Sequence, residues 1–247
     1  MSTDTAPVPS SSTELLFRPR QLRDLVRGVP WLGDLDDDRI EALLEDSTVR
    51  TLKAREWLFR QDAPAEWLYV VISGVVRLVR SAGDGRLATI RCVERGGTLG
   101  ELSMVSNARV YLYSAEALRR THLLAIPAAR CREIMDSQPA CRAEFLSRLA
   151  LELTERLEDM ALLTQADAMA RLVSYILRQL PTGRAKGPRV VRLTIPKRWL
   201  AAQLAMTPET LSRLLAKLRE EGVINIDRQR LLVLDEQKLR DLMLNDD

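Results

Sequence analysis

Residues 196–222 read PKRWLAAQLAMTPETLSRLLAKLREEG. The stretch predicts two short helices joined by a tight turn. Thr207 is placed to cap the second helix with its hydroxyl, and Pro208 follows at the first helical position, where a missing N–H costs nothing. Leu211, Leu215 and Leu218 recur at helical spacing and face inward. Glu209, Ser212, Arg213, Ala216 and Lys217 then face outward on one side, and Gly222 ends the helix in a left-handed conformation. A short helix, a turn and a helix offering a carboxylate and a guanidinium one turn apart is the pattern of a helix-turn-helix that reads DNA. The competing reading is a solvated amphipathic helix with an ordinary Glu–Arg pair four residues apart.

The flanking residues bear on that choice. From Arg184 to Arg230 there are 11 Lys or Arg against 4 Asp or Glu, although the 247-residue chain carries a net charge of only +3. A basic excess confined to one segment is the footprint of a phosphate-binding module. Val190–Ile195 predicts a strand leading into the helix pair. After Gly222, VINI and LLVLD predict a hairpin turning across Asp227–Arg230. Upstream, a helix runs from about Asp167 to Leu180 with Leu172, Ile176 and Leu180 inward, followed by the loop PTGRAKGP. Strand, helix, helix and hairpin together make a winged helix-turn-helix, and each neighbour supports the same assignment.

Pro139 opens a longer helix. Leu146, Ala150, Leu153, Leu157, Met160 and Thr164 alternate in steps of four and three, a 3.5-residue repeat that marks a two-helix seam. Phe145, Leu149 and Leu163 form a second apolar set suited to packing on the helix's own domain. The expectation is a homodimer through the first set. From Val49 to Pro127 the runs WLFR, WLYVVI, VVRLVR, LATIRCV and HLLAI alternate with turn signals such as Gly83-Asp84-Gly85, the rhythm of an antiparallel sandwich or barrel. Residues 20–47 look helical, with Asp36, Asp37 and Asp38 at a helix N-terminus.

The predicted organisation is α+β: a disordered N-terminal extension over 1–19, a β-roll with flanking helices over 20–135, a dimerisation helix over 136–165 and a winged helix-turn-helix over 166–247. Cys92, Cys131 and Cys141 are scattered, and no CxxC occurs. No apolar run approaches the roughly 18 residues of a membrane span, and no signal-peptide pattern is present. These features point to a reduced cytoplasm and no membrane partner. One histidine, with no nucleophile elbow, P-loop or metal-ligand cluster, argues against an enzyme.

In this order the chain resembles the Crp/Fnr family of bacterial transcription regulators, over about residues 30–240. EWLYVVISGVVRL (66–78), GTLGEL (97–102) and TPETLSRLLAKL (207–218) carry the resemblance. It implies a cyclic-nucleotide-binding-like β-roll, a dimer helix and double-stranded DNA as partner, with RNA polymerase as a further partner if the protein is an activator. The Glu-x-x-Ser-Arg arrangement resembles the Fnr branch, so Glu209, Ser212 and Arg213 would read TTGAT paired with its inverted copy, TTGAT-N4-ATCAA. Arg213 can bond guanine O6 and N7, and Glu209 can accept from cytosine N4–H. Thr207, Lys197, Arg198, Lys217 and Arg219 are candidates for phosphate positioning.

The resemblance also frames the input. For a cyclic nucleotide, Gly100, Glu101 and Arg109 match parts of the family pattern, with Leu153, Arg156, Leu157 and Met160 as the remaining candidate lining. Val110 stands where a serine belongs, and Arg156 and Leu157 stand where hydroxyls belong. An iron–sulfur cluster is excluded, because no cysteine precedes Cys92 and a cluster needs about four thiolates. The nitric-oxide-responsive, Dnr-like branch is the most similar by elimination. It implies response to nitric oxide or redox and oxygen status, control of anaerobic or denitrification genes, and haem as cofactor. His122 is the candidate axial ligand, with Cys92, Cys131, Met104 and Met160 as other conceivable ones. A cyclic-nucleotide-responsive or ligand-independent regulator of the same fold is the alternative.

Overall fold

The computed structural model describes residues 17–81, 87–165, 167–180, 189–193, 195–227 and 229–242, with the side chains of 158, 159 and 161–165 also outside the description. Of the extension expected over residues 1–19, residues 1–16 therefore lie outside the described residues, as do Gly83-Asp84-Gly85 and the loop PTGRAKGP. The chain divides into two compact units, Met1–Leu151 and Glu152–Asp247.

The first unit is built on eight strands: β1 (Thr48–Leu52), β2 (Trp57–Phe59), β3 (Trp67–Ser73), β4 (Val75–Ser81), β5 (Leu87–Glu94), β6 (Thr98–Leu99), β7 (Ser114–Ala117) and β8 (Thr121–Pro127). They form two four-stranded antiparallel sheets, ordered β1-β8-β3-β6 and β2-β7-β4-β5. Strand β3 shows how the sequence positions them. Tyr69 and Val71 enter the core between the sheets with Leu78, Leu99 and Leu123. Leu68, Val70 and Ile72 point the other way, into a second core shared with helices. A strand buried on both faces reads as an unbroken apolar run, which is why WLYVVI lacks alternation.

The helices of that second core are α1 (Pro19–Arg27), α2 (Asp37–Glu45), α3 (Glu101–Val105, through Met104), α4 (Ala128–Ser137) and the start of α5 (Pro139–Gln165). Asp36 caps α2 by accepting from the Arg39 N–H at 2.9 Å. Helix α5 separates its two apolar sets as the spacing requires. Phe145 is buried and Leu149 packs against the same cluster. Leu146, Leu153, Leu157 and Met160 are 59%, 61%, 58% and 63% exposed. Ala150 is exposed too. Thr164 and Leu163 have side chains outside the description.

The second unit contains α6 (Ala168–Arg178), β9 (Arg189–Arg192), α7 (Lys197–Gln203), α8 (Pro208–Glu220), β10 (Ile224–Asp227), β11 (Arg230–Val233) and α9 (Glu236–Asp241). Its sheet has the order β10-β11-β9, all antiparallel. Asp167 caps α6 through the Ala170 N–H at 2.7 Å. Leu172, Ile176 and Leu180 are buried, as their spacing predicts, together with Leu200, Leu211, Leu215, Leu218, Val223 and Leu231. Among the described residues, no helix is long and apolar enough to cross a membrane.

Candidate nucleic-acid interface

Helix α8 is fixed before it presents anything. Thr207, in an extended backbone conformation, accepts from the Thr210 N–H at 3.1 Å, and Pro208 occupies the first turn. Such a cap contributes about 0.5–2 kcal/mol. At the other end Gly222 takes φ +70°, a conformation that costs a glycine little. Leu211, Leu215 and Leu218 bury the inner stripe.

The opposite stripe is open to solvent: Glu209, Ser212, Arg213, Lys217 and Arg219 are all exposed. Glu209 and Arg213 do not pair with each other, so the ordinary Glu–Arg bridge is not what occupies this face. The Glu209 carboxyl is held below its usual range, first by a backbone N–H bond at its own residue and then by the Thr207 hydroxyl. Arg213 has no hydrogen-bond or ion-pair partner among the described residues. Lys217 lies 4.0 Å from Glu221, a loose pair on an exposed surface. On α7, Lys197 and Arg198 are exposed, and the Arg198 guanidinium sits 4.8 Å over the Trp199 ring.

The strands add two residues that the sequence reading missed. Arg192 on β9 and Arg230 on β11 are directly opposite each other, and both are exposed. Like charges facing across a ladder are unfavourable unless an anion joins them. The local basic excess contained this signal, but only the strand register shows that the two guanidinium groups are neighbours.

The candidate effector residues are less coherent. Gly100 precedes α3, and its N–H donates to the Tyr113 hydroxyl at 3.1 Å. The Glu101 carboxylate accepts from the Thr98 hydroxyl. Between the sheets, Phe59 stacks on Tyr111 with centroids 3.7 Å apart and planes 8° off parallel, and Tyr69 and Tyr113 flank it at 5.8 and 5.9 Å. The Tyr111 hydroxyl donates to the Trp67 carbonyl at 2.9 Å. Burial pushes the pKa of Tyr111 well above the ordinary phenol value, so it stays neutral. Arg109, the candidate phosphate arginine, lies apart from these rings: it has φ +48° in an exposed turn, bonded through its backbone to Ser106 and Ala65. Leu153, Leu157 and Met160 are exposed residues of the second unit, and Arg156 lies 3.8 Å from Glu152.

The haem ligand set does not fit the roll interior. On β8, Leu123 and Ala125 face inward, whereas His122 shares the outer side with Leu124 and Ile126. There its Nδ1 lies 2.9 Å from the Thr51 hydroxyl and its ring edges Phe17 at 5.4 Å. Partial burial, then the Arg120 charge, holds its pKa below the usual imidazole value. Met104 and Cys131 belong to the helix-side core. Cys92 pairs across from Arg77 on the outer face of the other sheet, and burial pushes its thiol up to about 12. None of these four points between the sheets, and Met160, the fifth candidate, is an exposed residue of α5. Among the described residues no group of three or more His, Cys, Asp or Glu could hold a metal ion.

Comparison with known proteins gives matches over both units. A cyclic nucleotide-binding domain model matches residues 49–138, and a Crp-like helix-turn-helix domain model matches residues 170–242. The chain is similar to the transcriptional regulator LdrP of Thermus thermophilus, at 30% identity over 187 residues, covering 73% of this chain and 89% of that protein. It is similar to the anaerobic regulatory protein of Bacillus subtilis, at 26% identity over 209 residues, covering 83% and 87%. Among solved structures, FixK2 of Bradyrhizobium japonicum has the same fold, with a TM-score of 0.69, 23% identity and coverage of 79% of this chain and 96% of that one.

Proposed function

Because the chain belongs to the Crp/Fnr family of transcription regulators, we propose that it binds an Fnr-like palindrome, TTGAT-N4-ATCAA, as a homodimer. The observation that carries this is the exposed, mutually unpaired Glu209 and Arg213 one turn apart on a capped helix whose other stripe is buried. In the major groove Arg213 bonds guanine O6 and N7, Glu209 accepts from cytosine N4–H, and Ser212 contacts a base edge or phosphate. Lys197, Arg198, Thr207, Lys217 and Arg219 position the phosphates, and the wing pair Arg192 and Arg230 straddles one more. The labour divides along the chain: sensing in 20–135, dimerisation in 136–165 and DNA binding in 166–247.

The exposed stripe Leu146, Ala150, Leu153, Leu157 and Met160 supports the dimer, since four large apolar side chains at heptad spacing are costly in water. Two copies of α8 set about one DNA turn apart explain the palindrome. For the input, the likeness to an anaerobic regulatory protein supports oxygen status with anaerobic genes as targets, while nitric oxide or redox status and denitrification genes rest on the sequence resemblance alone. The route is not haem held by His122 within the roll, since that side chain faces away from the interior. Selection of DNA from a random duplex pool by the full-length protein tests the central reading. Enrichment of TTGAT-N4-ATCAA is the expected result, and enrichment of an unrelated motif rejects it. A nitric-oxide donor added to the same binding assay tests the input: a change in DNA affinity supports it, and constant affinity removes nitric oxide.

A further inference from the structure

The turn between α7 and α8 holds an uncommon backbone conformation. Ala205 has φ +49°, in the left-handed region where its Cβ is unfavourable and glycine is the usual occupant. The end of α7 also leaves carbonyl groups without helical partners. One side chain from another helix meets both needs. Arg171 of α6 donates from Nε to the Leu204 carbonyl at 2.9 Å and from Nη2 to the Ala205 carbonyl at 3.4 Å. Its cation thereby sits at a helix C-terminus, where the dipole favours it.

Both sides of this contact are anchored. The Arg171 N–H bonds the Asp167 carbonyl at 3.2 Å, and the next residues, Leu172 and Val173, are buried. In the turn, the Ala205 N–H reaches the Ala202 carbonyl at 3.2 Å and the Met206 N–H reaches the Ala201 carbonyl at 3.0 Å. Thr207, two residues beyond Ala205, caps α8. The guanidinium thus grips the chain where it departs toward the helix that carries Glu209, Ser212 and Arg213.

We propose that Arg171 is a positioning residue for sequence readout: it holds the Leu204–Ala205 turn and so sets the direction of α8, without contacting DNA. The proposal rests on the reading of Glu209, Ser212 and Arg213 as base contacts. Lysine is a poorer substitute, because its ammonium is a point charge on a flexible stem and lacks the rigid planar fork that fixes two carbonyls in one geometry. Glycine at 205 would lessen the dependence, since it adopts the same φ without a Cβ penalty.

The test uses the full-length protein, the duplex it selects from a random pool and a scrambled duplex, at fixed salt. Arg171→Lys should lower the ratio of selected to scrambled affinity by about tenfold, with scrambled affinity and salt dependence unchanged. Adding Ala205→Gly to that variant should recover part of the ratio. A lower melting temperature with an unchanged ratio overturns the proposal, making the contact structural only. So does a fall in both affinities with the salt slope reduced by about one, which marks a phosphate contact. A ratio that Ala205→Gly leaves unrecovered overturns the role of the turn. Hydrogen exchange over residues 203–211 is the second measurement. Faster exchange in Arg171→Lys, reversed by Ala205→Gly, supports the turn even if wild type selects no common sequence, an outcome that rejects the base-contact reading instead. Unchanged exchange overturns the proposal.

Discussion

Glu209 and Arg213 differ in how they are prepared for DNA. The Glu209 carboxylate is folded onto its own helix start, held there by its backbone N–H and by Thr207, whereas Arg213 extends into solvent. Arg213→Ala should cost roughly 1–3 kcal/mol per half-site and relax specificity at one base pair, read by titrating duplexes varied at that position. Lys197→Ala should weaken all sequences alike and reduce the salt slope by about one. The depressed pKa of Glu209 fixes the sign of its pH dependence. Its charge, and whatever stability that charge contributes, is present above the unfolded value and lost as pH falls through the lower folded value. Discrimination at its base pair should therefore stay flat from about pH 7 to pH 5, above the ordinary carboxylate range. A decline across that window, measured by anisotropy titration, would show a raised pKa.

Helices α5 and α8 were legible in the sequence because periodicity alone specified which stripe each buries. Phe145 and Leu149 pack inward while Leu153 and Leu157 stay exposed, so the two stripes of α5 have separable roles. Phe145→Ala should destabilise the first unit by about 3–5 kcal/mol, seen in thermal melts. Leu153→Glu with Leu157→Glu should leave that unit folded but yield monomers by sedimentation, and lower palindrome affinity by about 10²–10⁴ through lost avidity. Shorter elements were not legible. Strand β7 (Ser114–Ala117) has the sequence SAEA, with no β-branched or aromatic residue; β4 and β2 on its two sides hold it in the sheet. Helices α3 and α9 span five and six residues, too few for a period to show. Helix α4 (Ala128–Ser137) lies between the last strand and Pro139 and was not singled out in the sequence.

At the level of the molecule, the output was more legible than the input, and the reason is locality. Readout residues sit within five positions on one helix, so spacing alone places them on one face. The space between the sheets is closed by Phe59, Tyr69, Tyr111 and Tyr113 from three separate stretches, which no spacing rule connects. Val110 stands where the cyclic-nucleotide pattern has a serine, and Arg156 and Leu157 where it has hydroxyls, so cyclic AMP should leave the melting temperature unchanged. A ligand bound at 100 times its Kd would add about 2.7 kcal/mol and raise it. The central claim is that two copies of the Glu209, Ser212 and Arg213 face read an Fnr-type palindrome. The most direct test is an anisotropy titration of the full-length protein against TTGAT-N4-ATCAA and a scrambled duplex of the same composition, at one salt concentration. Preference for the palindrome of about 10³-fold or more is expected. Equal affinity for the two duplexes would contradict it.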